Sequence, residues 1–309
     1  MHSLKRVFPS RLVYGRHHLG LYSSFGIVRR GQNFATVSQT VPHLQVPDIS
    51  FAENPDHVRK VSDQLQKDGI LKIGLGFGDD DSNYLQKLIV SLHKQHGHRL
   101  PISHSASCGW FWDVRPNTTT FQSHNHQARS ETMEDFPWHT DCSYEEPPPR
   151  FFALQVLQHD RCGGGTLSVL NVKRLCESLS PTTRSALQKP EYRITIPTEF
   201  IKNPDQQDII GNILSSSTGG DQPDMMRYRG EIISPMSEAA AAALQELEQS
   251  LRHEKGNWVV HLTPEILPKR SIILLDNRLW LHARNSINDP ERHLRRVRWD
   301  ASPFMSLSN

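Results

Sequence analysis

FPWHTDCSYEEPPPR at residues 136–150, read together with LLDNRLWLHARNSINDPERHLRRVRW at 274–299, decides the fold. The first stretch carries His139 and Asp141, the second His282. Two histidines and one carboxylate, without a fourth protein ligand, describe the facial triad that holds ferrous iron and leaves coordination positions open. In a strand, residues i and i+2 point to one side, so His139 and Asp141 can reach a common ion while Thr140 faces away. SIILLDNRLWLHAR (271–284) reads as strand, turn, strand, which brings His282 in from a second strand. A His-x-Asp spacing alone is a weak signal in a chain with 17 histidines; the specificity lies in what accompanies it.

WHTDCSYEEPPP is followed by GGGTL (163–167), then by DNRLWLHAR (276–284) and a run of arginines. In this order the blocks resemble the taurine dioxygenase family of iron(II)- and 2-oxoglutarate-dependent oxygenases, over Val46 to Asp300. The resemblance implies an α+β, mainly β fold: a double-stranded β-helix (jelly-roll, clavaminate synthase-like) core with bracing helices. It assigns the metal to His139, Asp141 and His282. It assigns the remote carboxylate of 2-oxoglutarate to Thr166, 27 residues after His139, and to Arg292. Arg296 then meets the anionic end of the prime substrate. O2 is the second co-substrate, ascorbate the reductant in vitro, and succinate and CO2 are released. Related halogenases replace the carboxylate ligand with a small residue, so Asp141 implies hydroxylation or desaturation instead.

Two departures qualify the match. The step from His282 to Arg292 is ten residues, one shorter than in taurine-type members, so Arg295 stands as a substitute for either arginine. Strand alternation places Arg292, Leu294 and Arg296 on one face and Arg295 on the other. Asp135 occupies the position of a substrate-contacting asparagine, which puts taurine itself in doubt. Cys142, beside the metal pair, is a further candidate contact for substrate or 2-oxoglutarate. Asp135 and Asp276 are also candidates for orienting the imidazoles, against the plainer reading of turn or surface acids.

A chain of 309 residues can bury a substantial core. It contains no apolar run near the roughly 18 residues that a membrane span requires. The net charge of +2 hides an asymmetry: no acid precedes Asp48, whereas Lys5, Arg6, Arg11, Arg16, Arg29 and Arg30 do. A basic, serine-containing, acid-free leader over residues 1–40 resembles a mitochondrial transit peptide; without import the location is cytoplasmic. The basic groups lack the dense blocks of a nucleic-acid-binding tail, and the resemblance implies a small-molecule partner instead. Oligomeric state is open, a homo-oligomer included. The four cysteines make no metal-type pairs and read as free thiols.

One domain is expected over 46–303. NPDHVRKVSDQLQKDG (54–69) reads as a helix capped by Asn54, opened by Pro55 and stopped by Gly69. A strand follows in ILKIGLGF, then a second helix in DSNYLQKLIVSLHKQHG, stopped at Gly97. SEAAAAALQELEQSLRH (237–253) is a helix by its alanines and serine cap. Strands are expected at FFALQVLQ, TLSVLNV, YRITIP, WVVHLT, SIILLD, LWLHAR and HLRRVRWD, with helical turns in VKRLCESLSPTTRSALQ. The polar stretch 107–136 is expected over the site entrance, and 199–230, which has no clean period, in the substrate pocket.

Plainer readings compete with several of these residues. His124 and His126 have ligand-like spacing but sit in a polar loop without a third partner. Trp110, Trp112 and Trp138 read as core or lid residues; as an aromatic cage they suggest a trimethylammonium substrate, as in carnitine-pathway relatives. Other function classes are a zinc hydrolase on the His/Asp/His site, which lacks a neighbouring base glutamate, and a non-catalytic binding protein of the same fold.

Overall fold

Helix α1 (Pro55–Asp68) forms where its caps dictate. The Asn54 side chain accepts from the His57 amide at 3.0 Å, and Pro55 sits where a missing N–H costs nothing. Gly69, at φ 65°, ends the helix; a Cβ there would press on Trp280 and Leu279. Helix α2 (Asn83–His96) ends the same way at Gly97. The computed structural model describes residues 41–103, 109–119, 121–123, 126–215, 224–253 and 258–304. The basic leader expected over residues 1–40 lies outside the described residues, and the architecture here is that of the unit Ser38–Asn309.

Along the chain the strands are β1 (His43–Val46), β2 (Ile70–Leu75), β3 (Phe111–Val114), β4 (Phe136–His139), β5 (Pro149–Gln158), β6 (Leu167–Asn171), β7 (Tyr192–Thr195), β8 (Asp208–Gly211), β9 (Leu214–Ser215), β10 (Met225–Met226), β11 (Ile233–Pro235), β12 (Val259–Leu262), β13 (Ser271–Asp276), β14 (Trp280–Arg284) and β15 (His293–Ala301). Helices α3 (Val172–Ser178) and α4 (Pro181–Leu187) follow β6, and α5 (Glu238–Arg252) follows β11. The major sheet runs β1-β2-β13-β5-β15-β3, and the minor sheet β12-β6-β14-β4.

Period-2 alternation sorts the side chains of the major sheet into two layers. Phe151 and Ala153 of β5, with Ile272 and Leu274 of β13, pack with Val58 and Leu65 of α1 and with Leu85 and Leu88 of α2. Their neighbours Phe152, Leu154, Ile273 and Leu275 pack instead with Leu167 and Val169 of the minor sheet. Both faces of β5 and β13 are therefore buried, and each such large apolar side chain contributes about 1.5–3 kcal/mol. A third apolar cluster joins Leu170 and Leu281 of the minor sheet to α3, α4 and α5. This is the jelly-roll core with bracing helices that the motifs imply.

Two stretches differ from expectation. The polar segment 107–136 does more than cover an entrance: β3 inside it pairs with β15 as the sheet edge, with Trp112 opposite Arg296. The aperiodic stretch 199–230 contains β8, β9 and β10, strands of four, two and two residues that are too short to show a period.

Candidate metal centre

Strands β4 and β14 run antiparallel with His139 directly opposite His282. Asp141 follows on the turn out of β4. The ligand atoms of the three residues lie within 4.8 Å of one another, and all three side chains are buried. Asp141 Oδ1 stands 3.8 Å from His139 Nε2 and 3.6 Å from His282 Nε2.

Hydrogen bonds preset His139 and Asp141, whereas His282, its Nδ1 unmatched among the described residues, is held by packing. His139 Nδ1 donates to the Pro137 carbonyl at 2.7 Å, which turns the Nε2 lone pair toward the cluster. The Phe136 ring stacks on this imidazole at 3.7 Å and 12°, with the Arg229 guanidinium 5.2 Å over the same phenyl. Phe152 packs against His282 at 4.5 Å. Asn277 fixes the main chain of Asp141: its Oδ1 accepts from the Asp141 amide at 2.7 Å, and its Nδ2 donates to the Asp141 carbonyl at 2.8 Å. Sequence reading missed Asn277, although its place in the turn between β13 and β14 was visible.

The electrostatics suit a cation. Burial, and then His282, hold the His139 imidazole well below its ordinary value, so the ring is neutral with a lone pair to give. Burial opposes the Asp141 charge, but Arg296, the bond with His282 and Arg298 keep its carboxyl well below the usual carboxylate range. Asp141 Oδ2 is buried without a hydrogen-bond partner among the described residues. Two converging imidazoles and a carboxylate with an unmatched oxygen fit a divalent iron ion.

Arg292 and Thr166 line one cavity, together with Gly164 and Gly165. Arg292 Nη2 donates to the Gly165 carbonyl at 3.2 Å, while Nη1 is buried and unmatched. Burial, and then the nearby Arg284, pull its guanidinium down to about 9. A buried cation with an idle N–H fits an incoming carboxylate. Gly165 is required here, because a Cβ on it would fall 2.5 Å from Arg292 Nε. Arg295 faces away, donating to Asp113 Oδ1 at 2.9 Å and to the Asp80 carbonyl at 2.8 Å, so it substitutes for neither arginine. Arg296 Nη1 sits 3.2 Å from Asp141 Oδ1.

Other expected positions lie elsewhere. Asp135 is exposed at the surface with its carboxylate 3.6 Å from Arg129, and does not reach the imidazoles. Asp276 is engaged by Arg150 at 3.0 Å and by the Arg278 amide, so it orients neither ring. Cys142 does reach the site: it adopts φ 53°, its Sγ accepts from Arg298, and burial pushes its thiol up to about 11. The three tryptophans do not converge: Trp112 is in the layer between the sheets, whereas Trp110 packs on the α1/α2 side and Trp138 on the α5 side. His126 is exposed, and His124 lies outside the described residues. Arg298, buried beside Asp141 at 4.0 Å, was not singled out from sequence.

Facing sheets around a His/Asp/His cluster, with a separate buried arginine, define a mononuclear iron oxygenase of the 2-oxo acid type. Residues 93–298 match the family described as Taurine catabolism dioxygenase TauD, TfdA family, and the chain belongs to that family. L-asparagine oxygenase of Streptomyces coelicolor is 29% identical over 147 residues, 48% of this chain and 41% of that protein. The match thus spans less than half the length of that relative. Among solved structures, asparagine oxygenase in complex with Fe(II), 2S,3S-3-hydroxyasparagine and succinate superposes with a TM-score of 0.63 at 19% identity, covering 85% of this chain and 86% of that one. The non-heme iron oxygenase OrfP, in complex with Fe and alpha-ketoglutaric acid, gives a TM-score of 0.62 at 15% identity, covering 85% and 95%. These two show the shared fold. The chain is an Fe(II)- and 2-oxoglutarate-dependent oxygenase, and the zinc hydrolase and scaffold readings are set aside. Among the described residues no helix is long and apolar enough to cross a membrane.

Proposed function

We propose that this oxygenase hydroxylates a small carboxylate-bearing molecule of the free amino acid class. His139 Nε2, His282 Nε2 and the Asp141 carboxylate hold the metal, and Arg292 with Thr166 holds the remote carboxylate of 2-oxoglutarate. When bound, iron and 2-oxoglutarate supply the means to activate O2. The balance is closed: one oxygen atom enters the substrate C–H bond as hydroxyl and the other enters succinate. Two of the four electrons come from the substrate and two from the decarboxylated 2-oxo acid. Aromatic packing by Phe136 and Phe152 keeps bulk water from the imidazoles.

The observation that carries the reading is the register of His139 opposite His282 with Asp141 buried between them. An anionic substrate is supported by Arg296 and Arg298, two buried cations around one carboxylate that the metal also uses. The amino acid class is supported by a relative named for L-asparagine and by OrfP, whose structure holds (3S)-hydroxy-L-Arg with Fe and succinate. The trimethylammonium alternative loses its motive because the three tryptophans are dispersed. The test is succinate release by purified protein with ferrous iron, ascorbate and O2, screened over free amino acids. Turnover disappears in His139→Ala; persistence there, or no succinate from any acid, refutes the reading. Import of the full chain by isolated mitochondria, with loss on deleting residues 1–40, tests the proposed location, which rests on leader composition alone.

A further inference from the structure

Strand β4 has a further neighbour outside its sheet. The segment Tyr228–Glu231, between β10 and β11, runs along its ligand-bearing end, where His139 and Arg229 form an antiparallel bridge. Thr140, between the two ligands in sequence, completes the seam. Its amide donates to the Tyr228 carbonyl at 2.7 Å, and its Oγ1 accepts from the Tyr228 amide at 3.0 Å. The segment is itself anchored. The Met226 amide donates to the Arg278 carbonyl and the Arg227 amide to the Ile213 carbonyl, both at 2.8 Å, and Tyr228 is buried in the cluster that includes α5.

From this fixed backbone the Arg229 side chain reaches over Phe136, its guanidinium carbon 5.2 Å from the phenyl centroid. The His139 imidazole lies on the same phenyl, 3.7 Å between centroids and 12° between planes. A ring that close covers one face, which leaves the other to the guanidinium. Guanidinium, phenyl and imidazole thus form a three-layer stack whose last layer is a metal ligand. The bond from His139 Nδ1 to the Pro137 carbonyl fixes one edge of the imidazole, and a surface against its face is what fixes the plane. The Phe152 ring against His282 has no cation over it among the described residues.

The Arg229 charge has two opposing effects. A cation is attracted to the negative face of a phenyl ring, an effect of about twofold to thirtyfold in an equilibrium constant. The same cation repels a divalent ion held beyond the imidazole. Glu231 decides between them: its Oε1 lies 2.9 Å from Arg229 Nε and 2.8 Å from Nη2. At the longer distance to the ion the pair is close to neutral, so the repulsion largely cancels, whereas the contact with the ring is local and survives.

We infer that Arg229 is a positioning residue of the metal centre: through Phe136 it sets the plane of the His139 imidazole, while its segment straps the ligand end of β4. The inference rests on His139, Asp141 and His282 being the iron ligands and extends that reading to a residue outside the triad.

The probe is ferrous iron alone, titrated anaerobically into metal-free Arg229→Met, Phe136→Leu and the double variant. Methionine keeps an apolar stem and loses the cation. Arg229→Met raises the iron Kd about threefold to thirtyfold, and Phe136→Leu about tenfold or more. The double variant stays within about twofold of Phe136→Leu, because the guanidinium acts through the ring. Arg229→Lys lies between wild type and Arg229→Met. Proton NMR of the iron-loaded protein gives the readout that a merely structural role would not produce: the His139 ring signals shift in Arg229→Met while those of His282 hold. Unchanged or tighter iron binding in Arg229→Met overturns the inference, as do additive losses in the double variant or equal shifts at both histidines. A rise in substrate KM with the iron Kd unchanged overturns it too, and assigns Arg229 to the substrate. Should Arg229→Met not fold, Arg229→Gln takes its place under the same expectations. His139→Ala separates this inference from the reading beneath it. Iron bound there as tightly as in wild type overturns the ligand assignment as well; iron lost there, but unchanged in the Arg229 variants, overturns this inference only.

Discussion

Replacing Asn277 with alanine tests whether the metal site is held from behind. The side chain makes three buried hydrogen bonds: from the Asp141 amide at 2.7 Å, to the Asp141 carbonyl at 2.8 Å and to the Pro149 carbonyl at 3.0 Å. Each is worth about 0.5–1.5 kcal/mol net, and the Asp141 amide left without an acceptor adds to the loss, so about 2–4 kcal/mol is expected. For a unit of this size that corresponds to a fall in Tm of roughly 4–12 °C. Metal affinity should drop about 10–100-fold, because the carboxylate of Asp141 is no longer aimed by a fixed main chain. Asn277→Asp keeps the acceptor but sets a carboxylate against two carbonyls, so it should fall at least as far. The assays are equilibrium urea unfolding of the metal-free protein and anaerobic Fe(II) titration. Stability within about 0.5 kcal/mol of wild type together with unchanged affinity refutes the reasoning. It would show that the backbone bond from the Asn277 amide to the Arg150 carbonyl suffices.

Three further outcomes are expected. Gly165→Ala strains a φ of 65° and drives a methyl toward Arg292, so the KM for 2-oxoglutarate should rise sharply while iron titration is little changed; equal damage to both would contradict it. Arg292→Lys keeps a charge but loses the fork, and should weaken 2-oxoglutarate binding about 10–100-fold by calorimetry; a wild-type Kd would exclude Arg292 from the carboxylate. Burial opposes the charge of Asp113, yet its bonds from His293 and Arg295 hold the carboxyl down to about 2. A depressed carboxyl stabilises above its unfolded value of 3.8 and loses that contribution as pH falls toward 2, so Asp113→Asn should match wild type at pH 2 and be less stable above pH 4 by urea unfolding.

Much of the fold was legible because its signals are local. Asn54, Pro55, Gly69, Gly97 and Ser237 announce helix ends through side-chain caps and left-handed backbone, which depend on a few neighbours only. Motif order pointed to the residues that meet in the His139/Asp141/His282 cluster and to Arg292 and Thr166, which line one cavity, and alternation set Arg295 and Arg296 on different faces. What stayed hidden depends on the third dimension. Strand β3 looked like loop because it is four residues long inside a polar stretch and its pairing partner lies in β15, far along the chain. Asp135 and Asp276 were near the ligands in sequence, but their nearest charges are Arg129 and Arg150. Arg298 was one arginine among several in HLRRVRWD; its burial beside Asp141 distinguishes it.

The thin seam between β4 and β14 has a consequence of its own. Strand β4 borders its sheet through just two registered partners, His282↔His139 and Arg284↔Phe136, with an irregularity between them. An ion gripping both imidazoles would rivet this marginal seam, so loading and ordering of β4 form one event. Chelation should then unzip residues 136–139 first, seen as accelerated amide exchange there, while β5 and β13 keep their protection.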